Sequence, residues 1–523
     1  MADDESPRPD LAETLRRQAL IGDEARAEVV DARHAAGRRT ARENLADLCD
    51  EGSFVEYGGL AIAAQRGRRS VDDLIRRTPA DGLVAGTARV NSALVGEEHA
   101  QCAVLSYDYT VLAGTQGVMG HRKKDRLFEV IERRRLPVVL FAEGGGGRPG
   151  DTDHAMVAGL DVMAFALWAR LSGTVPRIGI ASGRCFAGNA ALLGCSDLII
   201  ATPEASIGMG GPAMIEGGGL GVVDADEVGP FEVQVRNGVI DIAATDEADA
   251  VRLARRALSF FQGPIATFDA PDQRALRDVI PENRRRAYDV HRAIEIIADT
   301  GSTLEVRPRF GRGMVTVLAR IEGHPVGVVA NNPMHLAGAI TSDCADKAAR
   351  FLQLCEAFRL PVLFLCDTPG IMVGPDAEKT ALVRHASRLF LAGAALTVPF
   401  MTVVLRKGYG LGAQAMAGGS FRAPLMTVAW PTGEFGGMGL EGAVKLAYRK
   451  ELEAIEDAHE RAARFDAMVA EMYERGTALN AATYFEVDDV IDPAATRALI
   501  AAVILHSDEP PPAAAKRRYV DSW

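Results

Sequence analysis

No two of the seven cysteines, Cys49, Cys102, Cys185, Cys195, Cys344, Cys355 and Cys366, stand as a CxxC pair. Neither a zinc ribbon nor a disulfide framework is therefore predicted, and the expectation is buried thiols in a reducing compartment. The chain also lacks the run of about 18 apolar residues that a membrane-crossing helix needs; the stretch Met163 to Leu171 is interrupted by Arg170. The amino terminus, Met1 to Asp10, is acidic and holds two prolines, with no basic segment leading into an apolar one. Residues 1–20 are predicted as a flexible tail, and the protein as cytoplasmic. Three catalytic words are missing, GxxxxGK[ST], GxSxG and HExxH, which removes the central residues of P-loop, α/β-hydrolase and zinc-peptidase chemistry. No metal site is predicted. Basic residues are too few for a general nucleic-acid surface: 58 Lys and Arg face 70 Asp and Glu, a net charge of −12. Any polyanionic ligand must meet a local basic patch.

What remains has the balance of a well-packed globular chain, with 48% apolar and 24% charged residues in 523. That length suits two large domains, and the sequence repeats itself at that scale. Leu136 to Gly147 (LPVVLFAEGGGG) matches Leu360 to Gly370 (LPVLFLCDTPG), an offset of 360 − 136 = 224 residues. Thr174-Val-Pro176 matches Thr397-Val-Pro399 at 223, and Gly208-Met-Gly210 matches Gly437-Met-Gly439 at 229. Each half reads as strand, long helix, strand, short helix, strand. The first gives Pro137–Ala142, Ala155–Leu171, Ile178–Ser182, a helix from Ala187, and Asp197–Ala201. The second gives Val362–Cys366, Glu378–Ala395, Met401–Leu405, a helix near Gly412–Gly418, and Leu425–Ala429. Short, continuous apolar strands flanked by helices predict parallel sheets covered on both faces. The expected fold is α/β, with one domain over 21–270 and a second over 271–523. Leu452 to Tyr473 is predicted as an exposed amphipathic helix, and Pro510-Pro-Pro512 with Lys516-Arg-Arg518 as an extended end.

The chemistry points to glycine turns. Gly144 to Gly147 follow a buried strand, where backbone can approach a ligand with no Cβ in the way. Gly188 opens a helix whose first amides and dipole favour negative charge. Together they can form an oxyanion hole. A dinucleotide fold is the competitor, but Pro149 stands where its helix should run and no ribose-binding acid follows at the usual distance.

The segment Ser182 to Glu204 resembles the crotonase-type superfamily (the ClpP/crotonase β-β-α superhelix), in both halves as a duplicated domain. From about Gly37 to Glu451 the chain resembles, more narrowly, the carboxyltransferase (beta) subunits of biotin-dependent acyl-CoA carboxylases of the propionyl-, acetyl- and long-chain type. Words that carry the likeness include Asp81 to Gly86, Val326 to Pro333, Asp343 to Phe351, Asp367-Thr-Pro-Gly370, Arg406 to Gly410 and Gly439 to Val444. His121 to Arg126 and Gly211 to Gly221 are most similar to large, single-chain carboxylases of longer acyl groups.

That resemblance implies transfer of a carboxyl group from carboxybiotin, borne by a partner, to the α-carbon of an acyl-CoA. The ureido nitrogen takes the α-proton and the thioester enolate captures the carboxyl group, so oxygen-centred charge arises on both substrates and each half supplies one hole. Gly146, Gly147 and Gly188 would serve the thioester; Gly412 and Ala413 would serve biotin, provided Leu411 is an insertion, and otherwise Leu411 and Gly412. The biotin side would also include Gly370, Tyr409, Gly410 and Ala415, the last helping to set the acyl pocket, a place that falls to Gln414 if Leu411 is not an insertion. Arg122, Lys123, Lys124 and Arg126 form a basic cluster suited to CoA phosphates or a solvated helix face, and Arg148 binds CoA or pins its turn. The chain has no ATP-binding region and no Ala-Met-Lys-Met biotinylation word, so a biotin carboxylase and a biotin carboxyl carrier are the implied partners, with a homohexamer as the implied assembly. Two alternatives stay open: a biotin-dependent acyl-CoA decarboxylase running the step backwards, and a catalytically silent scaffold in a carboxylase complex.

Overall fold

The computed structural model describes residues 7–154, 159–505 and 520–523. It holds two compact units, one reaching Gln262 and one beginning at Gly263. The expected boundary after residue 270 falls too late. Residues just after Gly263 are tied to the second unit, with Ile265 N donating to Gly323 O (3.1 Å) and Thr300 N to Asp269 O (2.8 Å). Residues 9–19, read as part of a flexible tail, form an exposed helix. Pro9 sits in its first turn, Asp10 follows at the N-terminal end, and Arg16 and Arg17 close the last turn, all placements that favour a helix.

In the first unit a sheet runs through Leu83–Arg89, Gln101–Tyr107, Val138–Phe141, Arg177–Ala181 and Leu198–Ala201, parallel from the second of these onward. In the second unit the path is Met314–Ile321, His324–Asn331, Val362–Thr368, Phe400–Tyr409 and Met426–Ala429, with the same senses. Apolar strands such as Val138–Phe141 are buried along their whole length because helices cover both faces. The α/β class and the duplication are as predicted.

The register makes the duplication quantitative. Val138 pairs with Arg177 where Val362 pairs with Phe400. Gln116 bridges Gly147 where Ile340 bridges Ile371, both residues displaced by 224 (340 − 116 and 371 − 147). Phe186 pairs with Gly208 where Tyr409 pairs with Gly436. From Arg177/Phe400 to Phe186/Tyr409 the offset stays at 223 (400 − 177 and 409 − 186).

Helix limits differ from expectation in four places. In the first unit the long helix after the glycines is the seven-residue Ala164–Arg170, and 155–158 of the expected span lie outside the described residues. In the second unit the expected Glu378–Ala395 helix is broken at Ala381, whose φ of 57° ends Pro375–Glu378 and starts Leu382–Ala394. The helix expected near Gly412–Gly418 is Gly410–Ala415, two residues earlier at its start. The amphipathic helix expected over Leu452–Tyr473 starts later, as Ala458–Arg475 capped by Asp457, with Leu452 in the separate short helix Arg449–Glu453. Pro510–Pro512 and Lys516–Arg518 lie outside the described residues.

Candidate functional site

Each strand that ends at a glycine turn delivers main-chain N–H groups to the sheet's C-terminal edge. In the first unit, Gln116 N donates to Gly146 O (2.7 Å) and Arg148 N to Gln116 O (3.0 Å), so Gly147 is skipped by the pairing. Among the described residues its N–H has no partner, and a Cβ built at Gly147 meets nothing within 4 Å. Gly188 N is likewise without a partner at the start of the helix Gly188–Gly194. Gly146 is different. Its N–H donates to Asn189 Oδ1 (3.1 Å), which removes it from the free donors. Its φ of 89° and the 2.7 Å that would separate a Cβ from Ala187 Cβ explain the glycine: it lets the turn close against Ala187 and Gly188.

The second unit repeats the arrangement. Ile340 N donates to Gly370 O (3.1 Å) and Met372 N to Ile340 O (2.9 Å), which leaves Ile371 N free among the described residues. A Cβ on Gly412 would stand 2.6 Å from Gly370 Cα, so these backbones touch. Carrying the constant offset one step past Ala187 and Gly410, both at positive φ, aligns Gly188 with Leu411 (188 + 223). No residue is inserted. The counterpart of the Gly188 amide is Leu411 N, the alternative in which Leu411 is not an insertion, whereas Ala413 is 2% exposed and sits one turn inside the helix.

The expected basic cluster divides. Arg122 and Arg126 are exposed, Arg126 facing Glu129, but Lys123 and Lys124 are buried. Lys123 Nζ donates to Ala80 O (3.0 Å) and Leu83 O, and Lys124 Nζ to Gln116 Oε1 (2.5 Å). The four do not share one surface. Burial pushes the Lys123 ammonium down to about 8 and that of Lys124 to about 7. Arg148 pins its turn: its guanidinium pairs with buried Asp81 and donates to Thr115 O (2.9 Å).

Gly370 and Gly410 line the second turn at φ 124° and 55°. Tyr409 is buried, its hydroxyl donating to Glu434 Oε2 (3.0 Å); burial pushes the Tyr409 hydroxyl up, and Glu434 upward as well. Beneath the turn, fully buried Asp367 meets Lys407 Nζ (2.6 Å) and Arg406 Nη2 (3.2 Å), which ties the Asp-Thr-Pro-Gly turn to the adjacent strand. Beside the second turn lies a cavity of about 930 Å³ lined by Leu411, Ala413, Gln414, Phe435, Tyr484 and Phe485 among others. Gln414 is exposed to it, while Ala415 is 1% exposed and faces the core. Sequence reasoning missed Gln116, Asn189 and Ile371. The tripeptide Leu-Ala-Gly, at 112–114 and again at 336–338, brackets the loops that position Gln116 and Ile340, and was there to be found.

The class that fold and site define is a duplicated crotonase-like α/β protein with main-chain amides left free at equivalent places in each unit. The chain belongs to the carboxyl transferase domain family, which matches residues 32–517. It is 35% identical over 493 residues to the methylmalonyl-CoA carboxyltransferase 12S subunit of Propionibacterium freudenreichii subsp. shermanii, covering 91% of this chain and 90% of that one. To the biotin-dependent long chain acyl-coenzyme A carboxylase beta4 subunit of Mycobacterium tuberculosis it is 32% identical, covering 94% and 92%. Among solved structures, a single-chain, multi-domain long-chain acyl-CoA carboxylase superposes with a TM-score of 0.91 at 61% identity over 95% of this chain; the chain spans about half (49%) of that larger one. The transcarboxylase 12S hexamer core with methylmalonyl-coenzyme A bound gives 0.82 at 31% identity, covering 98% and 97%. The protein is thus a biotin-dependent carboxyltransferase.

Proposed function

We propose that the chain moves a carboxyl group from carboxybiotin, carried on a biotin carboxyl carrier protein or domain and recharged by a biotin carboxylase, to the α-carbon of an acyl-CoA whose acyl group is longer than acetyl. The observation that carries this reading is the pair of free amides at equivalent places in each unit, Gly147 with Gly188 and Ile371 with Leu411. Such donors strengthen as charge develops on oxygen and are preorganised by the fold. In the first unit they take the thioester oxygen as the α-proton leaves. In the second they take the ureido oxygen, a fit supported by an anion-seeking donor pair beside a cavity walled by Phe435, Tyr484 and Phe485. Carboxybiotin, when bound, supplies the carboxyl group and the nitrogen that accepts the proton.

Arg122 and Arg126 remain available to the CoA phosphates, with Lys123 and Lys124 withdrawn. A longer acyl group is supported by the 61% identity to the long-chain enzyme and by the open cavity at Gln414. Assembly as a hexamer is supported by the related 12S core, and a cytoplasmic location agrees with a set of mostly buried, unpaired thiols. The test is reconstitution with biotinylated carrier and biotin carboxylase. ATP-dependent carboxylation should appear only in the complete mixture and rise with acyl length beyond acetyl; carboxylation by the chain alone, or strict preference for acetyl-CoA, overturns the proposal.

A further inference from the structure

Behind the first turn lies a lysine that the reading above does not use. Lys124 is completely buried, and no carboxylate lies within ion-pair distance of its ammonium among the described residues. Two acids act on it only from a distance: Asp125, next in the chain, and buried Asp81, which is taken by Arg148. The rings of Tyr107 and Phe165 stand 5.7 and 5.8 Å from Nζ, and Tyr107 Oη and His121 Nδ1 are buried without partners. Burying a cation with no direct ion pair is costly, so its presence calls for a reason beyond packing.

The hydrogen bonds supply one. While charged, the Lys124 ammonium only donates, so Gln116 turns Oε1 toward it (2.5 Å) and Nε2 away. Nε2 then donates to Asn189 Oδ1 (3.2 Å), the same atom that receives Gly146 N (3.1 Å), while Asn189 Nδ2 donates to Gly114 O (3.3 Å). Every amide in this series has its orientation dictated by the charge at one end. The series ends on Gly146 N, in the peptide one before that which bears the Gly147 N–H. It also reaches the other donor, because Gln116 Nε2 stands 3.0 Å from where a Cβ of Gly188 would be.

We propose that Lys124 is a positioning residue for the thioester-side amides: through Gln116 and Asn189 it fixes the Gly146 peptide and so the aim of the Gly147 and Gly188 N–H groups. Gln116 is the link and presents its second Nε2 hydrogen beside Gly188. The inference rests on the assignment of these amides to the thioester oxygen.

The test uses the full chain with methylmalonyl-CoA as carboxyl donor and free biotin as acceptor. The variants are Lys124→Met, Gln116→Leu and the pair together. In each, kcat should fall by about 10-fold or more while KM for methylmalonyl-CoA stays within about threefold, the pattern of a contact that matters in the transition state. The double variant should be no worse than the poorer single one, since both break one series. Lys124→Met removes an unpaired buried charge, so its Tm should hold or rise, which a merely structural lysine would not allow. Gln116→Glu gives the ammonium a counter-charge and keeps the fold, yet turns a lone pair toward Asn189 Oδ1; it should lose kcat with Tm unchanged or higher. Wild-type kcat in Lys124→Met or Gln116→Glu overturns the proposal, as do multiplying effects in the double variant. Failure of the wild-type chain to transfer at all overturns instead the reading on which the proposal rests.

Discussion

Lys123 and Lys347 are the same residue of the two halves: each is buried, on the helices Val118–Arg134 and Ser342–Ala357, and donates Nζ to the first carbonyl of an equivalent strand, Leu83 O in one and Met314 O (2.7 Å) in the other. Leu83 pairs with Tyr107 as Met314 pairs with Asn331, and 331 − 107 and 347 − 123 are both 224. A buried ammonium survives duplication where it caps a strand.

Both ammonium groups are pushed down to about 8 by burial. A lysine depressed in the folded state destabilises it while charged, so stability rises as pH climbs from about 8 toward the unfolded value of about 10.4. The melting temperature of the wild type relative to Lys347→Met should accordingly increase over that window. A constant difference between the two proteins from pH 7 to 10 would contradict it.

Proline scanning separates the two placements of the biotin-side amides. Gly147→Pro and Leu411→Pro each delete an N–H that the fold leaves free, so kcat should drop by about 100-fold or more with acyl-CoA affinity largely kept. Leu411 lies in the first turn of its helix, where proline is tolerated. Ala413→Pro instead puts its ring against the preceding turn of a buried helix and should lower the yield of folded protein. The readout is kcat beside calorimetric affinity and circular dichroism. A fully active Leu411→Pro would return the site to Gly412 and Ala413.

Acyl selectivity should respond to Gln414 and not to Ala415. Gln414→Phe fills the cavity beside Leu411, and its ratio of kcat/KM for long against short acyl-CoA should fall by about 10-fold or more, the scale of one or two methylenes in a pocket. Ala415→Ile overpacks the core, which costs about 1–3 kcal/mol, and should lower Tm while leaving that ratio near wild type. A panel of acyl-CoA substrates decides between them.

Asp367→Asn would leave Arg406 and Lys407 with no carboxylate beneath the second turn. Breaking a buried pair in this way typically costs about 3–5 kcal/mol. A clear loss of Tm is expected, and an unchanged Tm would show that the two cations find other partners.

The strands and the duplication were legible because buried parallel strands are written as apolar runs, and Leu136–Ala142 and Leu360–Cys366 carry such runs. The second turn was not, since matching the letters Gly-Ala invited a gap that the strand register forbids. Lys123 and Lys124 were misjudged for a similar reason. Charge marked them as surface, yet they fall with Gly120, Leu127, Phe128 and Ile131 on one buried stripe at i, i+3, i+4 spacing. The helix at 9–19 was announced by Pro9 and its terminal charges, but the opening residues' acidity and prolines suggested a tail. Gln116 and Asn189 carry no signature of their own; only their hydrogen-bond geometry reveals them.

Six of the seven thiols are buried and Cys195 alone is exposed. Burial pushes the Cys49 thiol up to about 12 and those of Cys102, Cys185, Cys355 and Cys366 higher still, so they make poor nucleophiles. On the function proposed above the donors are peptide N–H groups, so none of these buried thiols would be a handle for a cysteine-directed electrophile. An inhibitor of that centre would instead mimic the shape and charge of the enolate.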